Sequence, residues 1–273
     1  MKLEADRISY AYRRRGALSL RRVSLTVETG EIAFVLGANG SGKSTLLSLL
    51  AGMRHPAAGA VRLDGQLLDA LTPRERAKRV GVVPQFHDPV FSFSVEETVA
   101  LGRAPYVGLF SRPGREDKLA VERALDAVGL TALRRRPTTR LSGGERQLVW
   151  IARGLAQGAG CLLLDEPTAH LDPQHEHGLF AVVRRLAAGG AAFVVASHHP
   201  GSALLYATRV TFLKNGAMLS SGSPAETITG DVLREAYGME FLVVTGSEGE
   251  RAVVPRLRSA SAASTGGSSR TGP

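Results

Sequence analysis

The chain has 273 residues, 44% of them hydrophobic and 22% charged, with a formal net charge of +9. That length suits one large domain, or a core with an inserted subdomain, and the composition excludes a disordered or fibrous chain. No apolar run approaches the roughly 18 residues of a membrane span, and the alternating charges of Met1–Arg7 do not make a signal peptide.

A single cysteine, Cys161, allows no internal disulfide, so a reducing, cytoplasmic compartment is expected. Lysine supplies only five of the 34 basic residues, so the charge reads mainly as a coding bias toward Arg. The runs Arg13-Arg14-Arg15 and Arg134-Arg135-Arg136 have no interleaved aromatic platform for bases. No nucleic-acid partner is expected, whereas contact with lipid head groups fits the charge.

In chain order, residues 3–36 read as strands, the last being the apolar run Ile32-Ala33-Phe34-Val35-Leu36 of a sheet buried on both faces. A helical pattern runs from Lys43 to about Gly52, and Val61–Leu63 is a short strand. Thr72-Pro73-Arg74-Glu75 starts a helix with an N-cap, a Pro at the first position and a Glu at the third. Val80–Val83 is a strand, and Ser94-Val95-Glu96-Glu97 is a capping box opening a helix to about Leu101. Pro and Gly mark 103–115 as a loop, before a helix over Glu116–Val128. Ser142-Gly143-Gly144-Glu145 caps a further helix to about Gln157. Strands return at Leu162–Leu164 and Ala192–Ala196, with a helix starting at Asp172-Pro173 between them. Arg209–Leu213 and Ala217–Ser220 form a hairpin around Asn215-Gly216. From Ser259 onward, Ser, Ala, Thr and Gly predict a disordered end.

Three motifs carry chemistry. Gly37-Ala38-Asn39-Gly40-Ser41-Gly42-Lys43-Ser44-Thr45, between an apolar strand and a helix, fits the phosphate-binding P-loop. Its glycines let backbone N–H groups turn inward, Lys43 reaches the β- and γ-phosphates, and the Ser44 hydroxyl suits Mg²⁺. Leu162-Leu163-Leu164-Asp165-Glu166 is an apolar strand ending in two carboxylates, Asp165 to hold Mg²⁺ and Glu166 to activate water. Leu141-Ser142-Gly143-Gly144-Glu145-Arg146-Gln147 makes a second anion site at a helix start, with Glu145 20 residues before Asp165.

Together these residues resemble the ATPase subunits of ABC transporters, over roughly residues 2–244. Leu141–Gln147 is similar to that family's signature motif, Ala169-His170-Leu171-Asp172 to its D-loop, and Gln85 to the glutamine that senses Mg²⁺ and the membrane partner. His198 in Ala196-Ser197-His198 resembles its switch histidine, with His199 as neighbour. Tyr12 stands where the family stacks an aromatic on adenine, with Tyr10 as second choice.

The resemblance implies an α/β P-loop NTPase. A RecA-like core with an N-terminal antiparallel β subdomain (1–86 and 159–245) carries an inserted α-helical subdomain (87–158) and a tail (246–273). It implies ATP and Mg²⁺ as ligands. Glu166, His198 and Gln85 would be catalytic; Ser44, Gln85 and Asp165 would hold the metal. Tyr12, Gly37, Asn39, Gly40, Gly42, Lys43, Ser44, Thr45, Ser142, Gly143, Gly144 and Asp172 would hold the nucleotide. Two copies would pair head to tail, each ATP lying between one P-loop and the other copy's signature.

The segment from Phe91 through Leu101-Gly102-Arg103-Ala104-Pro105-Tyr106 resembles importers of iron–siderophore, haem and cobalamin, as does Leu233–Gly238. The resemblance thus implies a peripheral motor on the cytoplasmic face of the membrane, acting on a permease and indirectly on a substrate-binding protein. The alternatives are an exporter motor and a soluble ABC ATPase acting on nucleic acid or ribosomes.

Overall fold

The computed structural model describes all residues except 14–15, 86–91, 109–110, 170, 248 and 257–273. The disorder expected from Ser259, His170 of the D-loop-like run, Phe91 and Arg14-Arg15 therefore lie outside the described residues.

The order is β1 (Lys2–Tyr10), β2 (Leu20–Glu28), β3 (Ile32–Leu36), α1 (Lys43–Leu50), β4 (Ala58–Leu63), β5 (Gln66–Leu67), α2 (Pro73–Ala77) and β6 (Val80–Val83). Three helices follow, α3 (Val95–Ala100), α4 (Arg115–Ala127) and α5 (Gly143–Ala156). The chain then re-enters the sheet with β7 (Cys161–Asp165), α6 (Pro173–Ala188), β8 (Ala192–Ser197), α7 (Pro200–Tyr206), β9 (Arg209–Lys214) and β10 (Ala217–Gly222). It ends with α8 (Pro224–Thr227), α9 (Gly230–Tyr237), β11 (Phe241–Thr245) and β12 (Arg251–Pro255).

Ten strands form one sheet in the order β5-β4-β1-β2-β10-β9-β3-β8-β7-β6. The run from β9 to β6 is parallel, and β1, β2, β4 and β5 pair antiparallel. β3 and β8 are buried at every residue, as a parallel sheet covered on both faces requires. Alternation divides the side chains. Phe34, Leu162, Leu164, Phe193 and Val195 pack toward α3–α6. Ala33, Val35, Leu163 and Val194 pack toward α1 (Leu46, Leu47, Leu50) and the N-terminal sheet.

Register places the site. Leu36 pairs with Ser197, Asp165 with Ala196, and Val83 with Leu164. The residues that follow these pairs, Gly37, His198, Glu166 and Gln85, all leave the sheet at its carboxyl edge, where α/β sheets bind ligands.

Thr72, Ser94 and Ser142 each form the expected capping box with Glu75, Glu97 and Glu145. The importer-like segment does structural work inside the helical insert. A Cβ on Gly102 would lie 2.2 Å from the Arg153 carbonyl, so glycine lets this turn touch α5. Arg103 donates to Asp117 Oδ1 and to the Ala156 carbonyl, each at 2.8 Å, and stacks on Tyr106 at 3.6 Å. One guanidinium thus ties the α3 turn to α4 and α5. The second basic run is partly structural too, because Arg134 forks onto both oxygens of Glu96.

The structure corrects the expected tail from residue 246. β12 returns antiparallel to β11, and Phe241, Val243 and Val253 pack on the main core. Helices α7, α8 and α9 are further elements that periodicity did not mark.

Candidate nucleotide site

A cleft of about 710 Å³ opens at the carboxyl edge of the sheet. Its walls bring together Tyr12, Asn39, Gly40, Gly42, Lys43, Ser44, Thr45, Gln85, Glu166 and His198, all singled out in the sequence. Leu18, Ser19, Asn215 and Gly216 complete the lining. Gly216 N–H donates to the Ser41 carbonyl at 3.0 Å, so the β9–β10 turn braces the P-loop from outside. No sequence pattern marks that turn as part of the site, because only tertiary packing brings it there.

The P-loop needs its glycines for stated reasons. Gly37 has φ +154°, and a Cβ there would meet the Leu213 carbonyl at 2.3 Å. Gly42 has φ +108°, and its Cβ would meet Leu20 Cδ2 at 2.7 Å. Lys43, only 6% exposed, donates from Nζ to the Gly37 carbonyl at 2.9 Å and the Ala38 carbonyl at 3.3 Å. Its Nζ also lies 3.4 Å from Glu166 Oε1.

Glu166 has φ +47°, a conformation rare for a side chain that is neither Gly nor Asn. Its N–H donates to the Ala196 carbonyl at 3.0 Å, which holds the unusual turn. Strain kept in place by surrounding structure is characteristic of functional positions. Glu166 Oε2 lies 2.8 Å from His198 Nδ1. Asp165 sits one residue deeper. Burial pushes its carboxyl up, opposed by a hydrogen bond from the Ser44 hydroxyl and by the Lys43 charge. Its Oδ1 is buried without a hydrogen-bond partner.

Each of the two paired candidates, His198 with His199 and Tyr12 with Tyr10, is placed differently from its neighbour. His198 lines the cleft and touches Glu166, whereas His199 precedes α7 without a side-chain cap, and its ring packs on His198 at 3.9 Å. Burial, and then the His198 charge, push the His199 imidazole down. Tyr10 is buried and accepts from Arg54 Nη1 at 2.8 Å. Tyr12 is 59% exposed at the cleft mouth, with its hydroxyl 2.8 Å from Thr45 Oγ1 and Arg54 over its ring at 4.8 Å. Ser142, Gly143, Gly144 and Asp172 do not line the cleft.

A parallel sheet with a P-loop, an acidic strand end and a histidine converging at its carboxyl edge defines a nucleoside-triphosphatase of the P-loop class. The family model described as ABC transporter matches residues 20–169, and the chain belongs to that family as an ATP-binding, ATP-hydrolysing subunit. The chain is 44% identical over 218 residues to the hemin import ATP-binding protein HmuV of Nocardia farcinica, covering 80% of this chain and 75% of that one. It is 33% identical to the petrobactin import ATP-binding protein FpuC of Bacillus anthracis, covering 90% of each. Among solved structures, an inward-facing metal-chelate type ABC transporter superposes with a TM-score of 0.82 at 29% identity, covering 94% of this chain and 98% of that one.

Proposed function

We propose that this chain is the motor of an importer for iron–siderophore, haem or cobalamin, and that it drives a membrane permease by ATP-dependent closure of a homodimer. The observation that carries the chemistry is the contact set Lys43–Glu166–His198 at the P-loop. The relatives named for hemin and petrobactin import support the first two substrate classes. The core would be residues 1–86 and 159–245, with the helical insert at 87–158 facing the permease. No helix among the described residues is long and apolar enough to cross a membrane, which suits a motor held at the inner face by its permease.

Two copies pair head to tail in this reading. Ser142, Gly143, Gly144 and Asp172 then serve the opposite chain's nucleotide, in keeping with their place outside the cleft. Within the cleft, Lys43 gives up its two carbonyl acceptors for the β- and γ-phosphates. Glu166 accepts the proton of the attacking water, His198 contacts the γ-phosphate, and Gln85 links the site to the helical insert.

A divalent ion fits the residues present. Asp165 Oδ1 is a buried acceptor lacking a donor, and Ser44 stands beside the same carboxylate. Among the described residues no group of three His, Cys, Asp or Glu could hold a metal alone, which suits an ion arriving with the triphosphate. Ser44, Asp165 and Gln85 would hold Mg²⁺, which would neutralise charge on the β- and γ-phosphate oxygens.

Tyr12 supplies the adenine platform in this reading. Its exchange for Ala is expected to raise the KM for ATP about tenfold, the cost of one lost base–aromatic stack, with kcat intact. Tyr12→Phe should keep wild-type KM. An unchanged KM in Tyr12→Ala would remove Tyr12 from the nucleotide.

The function is tested by purifying the tagged chain from detergent-solubilised membranes with whatever accompanies it. A many-spanning membrane protein should co-purify, and proteoliposomes of the complex with its binding protein should take up a ferric siderophore, haem or cobalamin only with ATP. Recovery in the soluble fraction with nucleic acid or ribosomes would overturn the transport reading.

A further inference from the structure

The signature glycines are explained by what lies against them. A Cβ on Gly143 would stand 3.0 Å from Leu171 Cδ2. One on Gly144 would stand 2.9 Å from His175 Cδ2 and 3.2 Å from His175 Cβ. Leu171 and His175 flank Asp172, the residue that caps α6.

His175 also engages both oxygens of that cap. Its backbone N–H donates to Asp172 Oδ1 at 2.9 Å, and its Nδ1 lies 2.7 Å from Asp172 Oδ2. A carboxylate only accepts, so Nδ1 carries the proton of this bond. The bonds from His175, backbone first, hold the Asp172 carboxyl below its usual range. Helix capping requires only the first bond. Thr72, Ser94 and Ser142 close their caps with Glu at the third helical position, whereas α6 has a His there. The second bond fixes the rotation of the Asp172 carboxylate, and the same ring fills the space that a side chain at position 144 would need.

We propose that His175 is a positioning residue for ATP hydrolysis, clamping Asp172 and the Gly143-Gly144 segment into one unit. It rests on the head-to-tail pairing, in which both elements act on the opposite chain's nucleotide. With His175 in place they meet that nucleotide at a fixed spacing. Without it, Asp172 rotates and the two elements approach independently. The effect falls on the closed, reacting dimer and leaves the chain's own P-loop untouched.

The test uses the full chain with His175→Phe and His175→Asn, alone and combined with Glu166→Gln. Phe keeps a ring against Gly144 but has no donor. Asn places an amide N–H near the position of Nδ1. His175→Phe should lower kcat about tenfold through the misplaced Asp172, with KM for ATP within about twofold and only a slight fall in melting temperature, because the lost bond is half-exposed. His175→Asn should recover most of the rate. In the Glu166→Gln background, His175→Phe should raise the ATP concentration needed for dimers in size-exclusion chromatography.

Wild-type kcat in His175→Phe would overturn the proposal. Equal losses in the Phe and Asn variants, with lowered melting temperatures, would also overturn it, by making His175 a packing residue only. If Glu166→Gln itself forms no ATP-dependent dimer, the pairing fails and this inference falls with it. If that dimer forms and His175→Phe leaves it unaltered, the clamp alone is wrong.

Discussion

Replacing Glu166 with Gln is expected to cut steady-state ATP hydrolysis by about 10²–10⁴-fold, the range for losing a positioned general base. ATP binding should remain, and an ATP-dependent dimer should accumulate. The substitution keeps the side chain's shape and the backbone at φ +47°, so the strained turn survives. What disappears is the acceptor. In the structure Glu166 Oε1 faces Lys43 and Oε2 faces His198. Once Lys43 turns to the phosphates, Oε1 is released, while His198 still fixes the carboxylate plane. An amide in that place binds protons too weakly to take one from water. Single-turnover hydrolysis and size-exclusion chromatography with ATP measure the two effects separately. Wild-type turnover would move the base elsewhere. Lost nucleotide binding would mean that Glu166 supports the P-loop instead of the reaction.

Much of this site was legible because its motifs are local. The P-loop requires glycines at fixed spacing for backbone reasons, and the φ values of Gly37 and Gly42 show why. Asp165 and Glu166 were visible as charges ending an apolar strand, and register with β8 then carries Glu166 to His198. The capping boxes at Thr72, Ser94 and Ser142 are legible for the same local reason. The box at Ser223–Glu226 carries an equal local signal but opens a helix only four residues long, too short to show a period.

What escaped depends on distant contacts. The β9–β10 turn joins the cleft only because β9 lies beside β3. The β11–β12 hairpin is apolar on both faces, so no period-2 alternation distinguishes it, and its inward face is defined by the core it meets. The importer-like segment ending at Leu101–Tyr106 reads in the sequence as a mark of one branch of the family. Yet Gly102 is buried and Arg103 is held by Asp117 and α5, so part of that likeness reflects how the helical insert packs.

Lys43→Ala should weaken ATP binding at least about a hundredfold, because two charge-assisted hydrogen bonds to phosphate disappear together. The consequence exceeds those bonds. Lys43 and Glu166 form a pair that is 6% and 11% exposed, and because both line the open cleft, removing one member costs less than the roughly 3–5 kcal/mol of a fully buried pair. In Lys43→Ala the Glu166 carboxylate is left beside Asp165 with no cation near its Oε1, where it repels an incoming triphosphate. Two penalties of different origin therefore combine, and they can be separated. Lys43→Ala with Glu166→Gln should melt higher than Lys43→Ala alone and bind ATP more tightly, although below wild type. Titration with a fluorescent ATP analogue at several salt concentrations, alongside melting curves, gives both quantities. If the double variant is no better than Lys43→Ala, the contact at 3.4 Å carries no net energy. The loss then belongs entirely to the missing phosphate bonds.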